Sequence, residues 1–258
     1  MLGMARETFS GGKRYSGYGS VKNARAYLVD CVKGNVPDYE VLSAGKELVF
    51  DSWEALCEKY STPIFFEKSP QYLANWASLS LLLEWIAQTE REVKIIGLTR
   101  NPMSVMYSAQ KLFYTDPAGR QFAWLELQRN LLALQAMVPT ASYLHCRYED
   151  IIENPVEEFA RVCRFLGVSE NALVGEAVHR DSLEKWRADQ DFDFIPDETV
   201  KQMARHFGYS DREMENGGKP GASRWSKFKR KAAGQFTLFK SRLRNSIVKP
   251  LIMRMGKQ

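Results

Sequence analysis

Two short clusters pair a cation with the residues that start a helix, and both have the side chains that hold an oxyanion. In one, Arg100 is followed by Asn101 and Pro102, with Ser104 and Ser108 spaced four apart behind them. In the other, Glu67 and Lys68 are followed by Ser69 and Pro70. Asparagine and serine are favoured N-caps and proline is favoured at the first helical position, so each cation is expected just ahead of a helix. A cation beside the unpaired N–H groups of a helix N-terminus can bind phosphate or a similar group. Ser104 and Ser108 would share a face of that helix and offer hydroxyl donors along it. Either cation alone is equally well a solvated charge closing a strand. The repetition of cation, cap and proline is what points to a shared anion site.

The elements that would position these residues follow from the apolar pattern. Residues 93–99 are an almost continuous apolar run, as in a strand buried on both faces of a parallel sheet, and they stop at Arg100. Residues 63–66 read as an earlier strand that stops at Glu67. Lys68 and Arg100 lie 32 residues apart, close to the ~30 residues of one strand–helix–strand unit, so both are expected at the carboxyl ends of neighbouring strands, where open α/β sheets bind ligands. Between them, residues 72–88 carry Leu79, Leu82, Leu83 and Ile86 at helical spacing and form the crossover helix, with Trp76 and Trp85 as packing residues. Residues 23–32, 52–60 and 119–137 read as further helices, and 141–147 as another strand in which His145 is a satisfied core histidine rather than a base. Asn154, Pro155 and Glu157 open a helix that runs to Leu166 and stops at Gly167. Alternation of strands and helices argues for an α/β fold with a parallel sheet between helical layers.

The chain has 258 residues, 45% of them hydrophobic, enough for one substantial core. Its net charge of +5 is unevenly placed. Residues 217–258 hold twelve Lys and Arg and no acid, which leaves 24 bases against 31 acids in residues 1–216. Four cysteines at separations of 26, 89 and 17 residues match neither a zinc pattern nor a redox pair and read as reduced and structural. No metal constellation is visible. Residues 1–22 are rich in Gly, Ser and Tyr and read as a loop, not a Walker-type phosphate loop, because no strand precedes Gly11 and Gly12-Lys13 is followed by Arg14. The start lacks the apolar run of a signal peptide and no stretch reaches the ~20 apolar residues of a membrane span, so a cytoplasmic protein is expected.

Arg100-Asn101-Pro102 with Ser108 eight positions after the arginine resembles the 3′-phosphate-binding motif of sulfotransferases that use 3′-phosphoadenosine 5′-phosphosulfate, PAPS. Glu67-Lys68-Ser69-Pro70 with Tyr72-Leu73 resembles a segment of carbohydrate-type members. Arg147-Tyr148-Glu149-Asp150, Asn154-Pro155 and Phe165-Leu166-Gly167 are similar to the family's downstream segment. Ser182 with Trp186-Arg187, then Phe207-Gly208-Tyr209, are similar to its nucleotide-side C-terminal segment. The resemblance covers about residues 63–210. It implies a three-layer fold like that of P-loop nucleotide hydrolases, with PAPS as co-substrate and no metal. Arg100, Ser108, Ser182, Trp186 and Arg187 would bind the nucleotide, and Glu67 and Lys68 would serve catalysis. Glu67 as general base competes with a plain salt-bridging role, and Asp38, Glu40, Glu47 and Asp51 are further candidates. The family's opening strand and Gly-x-Pro-Arg-Ser-Gly-Thr type loop, which cradles the 5′-phosphosulfate, are not found in residues 1–66. The expectation is therefore residues 1–210 as a domain lacking its first strand and loop, from a longer protein or a degenerate member.

Residues 211–258 form a separate basic tail. Within 223–247, Trp225, Phe228, Ala232, Phe236, Phe239, Leu243 and Ile247 make one helical stripe with Lys and Arg around the rest. Such a helix suits the anionic inner face of a membrane, or packs on the acidic body or a second subunit. The leading function is sulfuryl transfer from PAPS to a hydroxyl of a carbohydrate or lipid-linked sugar. The alternatives are an inactive nucleotide-binding or membrane-attached remnant, and a nucleic-acid binder, against which the acidic body argues.

Overall fold

A computed structural model of the chain describes residues 21–170, 178 and 183–216. The Gly-rich start, Ser182 and the basic stripe of 223–247 lie outside the described residues. The chain divides into two compact units, Met1–Val93 and Lys94–Gln258.

In the first unit, helices α1 (Val21–Asn35) and α2 (Gly45–Tyr60) are followed by a 3₁₀ turn (Pro70–Ala74) and α3 (Trp76–Gln88). Leu48 and Val49 of α2 pack with Leu81 and Trp85 of α3, which lie one helical turn apart. Glu54 ties the ends of this pair together. Its carboxylate accepts hydrogen bonds from the Trp85 indole at 2.8 Å, the Thr89 hydroxyl at 2.6 Å and the Arg91 Nε at 2.5 Å. Burial would push this carboxyl up, but the three donors together hold it below its ordinary range.

Two expectations for this unit are corrected. The helix expected over 72–88 is two elements, because Asn75 breaks it: its backbone is extended and its side chain accepts the Ala77 N–H at 3.0 Å as the N-cap of α3. Residues 63–66 are not a strand. Phe65 packs edge-on against Trp53 at 5.5 Å and beside Tyr60 at 6.4 Å, while Ile64 and Phe66 are exposed. One aromatic anchor accounts for the apolar run, and among the described residues no strand pairs with its backbone.

The second unit holds the sheet. Strand β1 (Ile95–Thr99) leads into α4 (Pro102–Phe113), then α5 (Pro117–Met137), and after a 3₁₀ turn (Thr140–Ser142) comes β2 (Tyr143–Arg147). β1 and β2 pair in parallel, with Gly97 opposite His145 and Thr99 opposite Arg147. The long connection through α4 and α5 is what a parallel pair requires. Among the described residues the sheet has these two strands, and β1 is buried at Gly97 and Thr99 but open at Leu98, which is 52% exposed. The expected burial on both faces is therefore replaced by alternation.

Gly97 has a steric reason. A Cβ there would lie 2.0 Å from the Tyr143 hydroxyl oxygen and 2.7 Å from Cζ, so the ring of Tyr143 occupies the space that a side chain would fill. β2 passes directly into α6 (Tyr148–Glu153), and α7 (Pro155–Leu166) ends at Gly167 in the left-handed region, as the sequence predicts. Short α8 (Lys185–Ala188), α9 (Glu198–His206) and α10 (Asp211–Met214) complete the described chain. α5 carries α4 on one contact and α9 on another.

Candidate functional site: the paired strand ends

The register Thr99 to Arg147 continues past both strands. Arg100 meets Tyr148, its guanidinium carbon 4.5 Å from the ring centroid. Asn101 meets Glu149, which accepts the Asn101 backbone N–H at 3.0 Å. A cation held over an aromatic face is positioned at little entropic cost.

Asn101 caps α4 as predicted, accepting the Met103 N–H at 2.8 Å, with Pro102 as first helical residue. The expected fan of unpaired N–H groups is corrected. The Asn101 N–H is taken by Glu149, Pro102 has none, and the Met103 N–H is taken by the cap. The Ser104 N–H is the first-turn donor outside these contacts. Ser104 is buried, and Ser108, one turn on, is half-buried.

The segment after α9 closes around the same turn. Gly208, at φ 84°, bends the chain so that the buried Tyr209 donates its hydroxyl to the other Glu149 oxygen at 2.7 Å. The Asn101 amide donates to the Glu213 carbonyl at 2.9 Å. Arg147 stacks 4.3 Å over the Tyr209 ring and pairs with Glu213 at 2.7 Å and Asp150 at 3.5 Å. Burial, then the adjacent Glu149 charge, push the Tyr209 hydroxyl far above its ordinary range, so it stays a donor. Glu213 is held low: burial opposes this, but Ser210 and Arg147 outweigh it.

His145 has a structural place. Its Nε2 lies 2.9 Å from the Thr99 hydroxyl, and burial, followed by Arg161 and Arg147, keeps the ring below its usual pKa. Trp186 is buried and stacks edge-on with Phe192 at 6.4 Å. Arg187 lies 4.3 Å over the Trp186 ring, pairs with Glu184 at 2.6 Å and donates to the carbonyls of Glu215 and Arg212 at 3.1 and 2.8 Å. These two residues therefore hold the closing segment together.

Glu67 and Lys68 belong to the first unit and are exposed, and Glu67 accepts a hydrogen bond from the Ser69 hydroxyl. With residues 63–66 outside any strand, Lys68 does not close one. Tyr148, Glu149 and Tyr209 appeared in the sequence only inside family-like motifs, with no role attached. The available signal was their position, since Tyr148 and Glu149 stand as far past β2 as Arg100 and Asn101 stand past β1.

Among the described residues no group of three or more His, Cys, Asp or Glu could hold a metal, and no helix is long and apolar enough to cross a membrane. The four cysteines are free. A stacked arginine with serine hydroxyls on the following helix is a donor set that fits a phosphate monoester.

A parallel strand pair with a cation at its carboxyl end has the setting in which open α/β proteins bind their ligands. The chain belongs to the sulfotransferase family, whose sequence model matches residues 14–171. Among solved structures it is similar to a sulfotransferase domain from the curacin biosynthetic pathway, with 17% identity, 80% of this chain and 84% of that one covered, and a TM-score of 0.55. A sulfotransferase domain from the olefin synthase of Synechococcus PCC 7002 aligns at 21% identity, 81% and 75% coverage and a TM-score of 0.49. No curated protein gives a significant match.

Proposed function

We propose that the protein transfers a sulfuryl group from PAPS to a hydroxyl of a carbohydrate or lipid-linked sugar. The observation that carries this is Arg100, fixed over Tyr148 at the end of β1 with Ser108 on the helix that follows. That pair would take the 3′-phosphate, the group that distinguishes this nucleotide from ADP or ATP. In the reaction the sulfur–oxygen bond to the nucleotide phosphate breaks, one to the acceptor oxygen forms, and the hydroxyl proton passes to a base. Neutralising the charge left on the nucleotide side is the main electrostatic demand. Lys68 would supply that cation and Glu67 the base, on the strength of their resemblance to the carbohydrate-type segment. Ser182, Trp186 and Arg187 would close over the nucleotide, and residues 223–247 would hold the enzyme at an anionic membrane.

Calorimetry with 3′-phosphoadenosine 5′-phosphate and with ADP tests the reading. Wild type should prefer the 3′-phosphorylated nucleotide, and Arg100→Ala should lose ~1.5–3 kcal/mol of that binding while leaving ADP nearly unchanged. Equal affinity of wild type for the two nucleotides would remove the basis for the assignment. A panel of sugar, glycolipid and carrier-bound hydroxyl acceptors, assayed for transfer from PAPS, then decides the acceptor class.

A further inference from the structure

The nucleotide site proposed above rests on a turn, residues 99–102, whose backbone is held by one carboxylate. Glu149 uses both oxygens: Oε1 accepts the Asn101 N–H at 3.0 Å and Oε2 accepts the Tyr209 hydroxyl at 2.7 Å. Asn101 and Tyr209 are 5% and 1% exposed, so neither donor has ready access to water in place of this partner. We infer that Glu149, oriented by Tyr209, is a positioning residue that sets the Arg100 guanidinium for the 3′-phosphate. The inference rests on the nucleotide reading.

Charge makes the assignment sharp. A carboxylate beside a phosphate site opposes the anion, so if Glu149 acted only through its charge, its removal would tighten binding. If it acts by holding the turn, removal loosens binding, because anion recognition by a planar guanidinium depends on orientation. Tyr148, which lies under Arg100, directly precedes Glu149 in the chain, so a shift of one moves the other.

The test measures affinity for 3′-phosphoadenosine 5′-phosphate and for ADP in the full chain, with the melting temperature alongside. Glu149→Ala should cut the preference for the 3′-phosphate roughly tenfold, the scale of a small misplacement of a binding group. Glu149→Gln should restore it to the wild-type level or above. The glutamine can accept the Asn101 N–H, donate to the Tyr209 oxygen, and carries no charge. Tyr209→Phe, which removes one anchor only, should give a smaller loss and keeps the test usable if the alanine variant does not fold. A purely structural role would lower the melting temperature or the number of sites and leave the ratio of affinities alone. That result, or a tighter 3′-phosphate preference in the alanine variant, overturns the inference while Arg100→Ala still loses the preference. If wild type shows no preference, the nucleotide reading itself fails and this inference falls with it.

Discussion

The Arg100 guanidinium lies 4.5 Å from the centroid of the Tyr148 ring, each residue being the first after its strand. The parallel register thus delivers a cation and its platform to one point, and the next pair, Asn101 and Glu149, locks the backbone beneath them.

Tyr148→Leu should weaken binding of 3′-phosphoadenosine 5′-phosphate by ~0.5–2 kcal/mol, the worth of a cation–π contact, with ADP little affected. Tyr148→Phe keeps the ring and should bind as wild type does. Calorimetry on the three proteins is the check.

Gly97→Ala forces the Tyr143 ring out of its place and should cost about 1–3 kcal/mol in urea unfolding. Coupling to Tyr143→Leu should recover part of that loss. Tyr143→Phe alone should be neutral or stabilising by ~1 kcal/mol, since the buried hydroxyl has no hydrogen-bond partner among the described residues and burial has pushed its pKa up to about 12.

Glu54 has a lowered pKa in the folded protein, so it binds its proton less readily there than in the unfolded chain. Its stabilisation is complete above its ordinary value of 4.5 and is lost as the pH falls through the folded value. Glu54→Gln should therefore be less stable than wild type at neutral pH, and the gap should close below about pH 4.5. Urea midpoints measured from pH 7 down to pH 3 would show a constant gap if the carboxylate charge were irrelevant.

Arg187→Lys keeps the charge but not the geometry of the planar fork that meets Glu184, two backbone carbonyls and the Trp186 face. We expect a loss of about 1–3 kcal/mol in thermal or chemical denaturation. An unchanged midpoint would mean that these contacts contribute nothing to the fold.

What the sequence determined by itself was local. Asn101 followed by Pro102 starts α4, and Gly167 ends α7, because cap and terminator chemistry depends on a few adjacent residues. The strand ending at Arg100, the strand over 141–147, of which the structure keeps 143–147, and the parallel class follow from apolar runs separated by long helical stretches. Tertiary structure decided what lies across from what. Residues 63–66 had the composition of a strand, yet an aromatic anchor on Trp53 uses them instead, since a strand exists only where a neighbour supplies its ladder. Likewise nothing local distinguishes Glu149 from any surface acid. Its role arises from the register of β1 and β2 and from a chain reversal at Gly208 that brings Tyr209 back across 60 residues, a long-range pairing that no local pattern encodes.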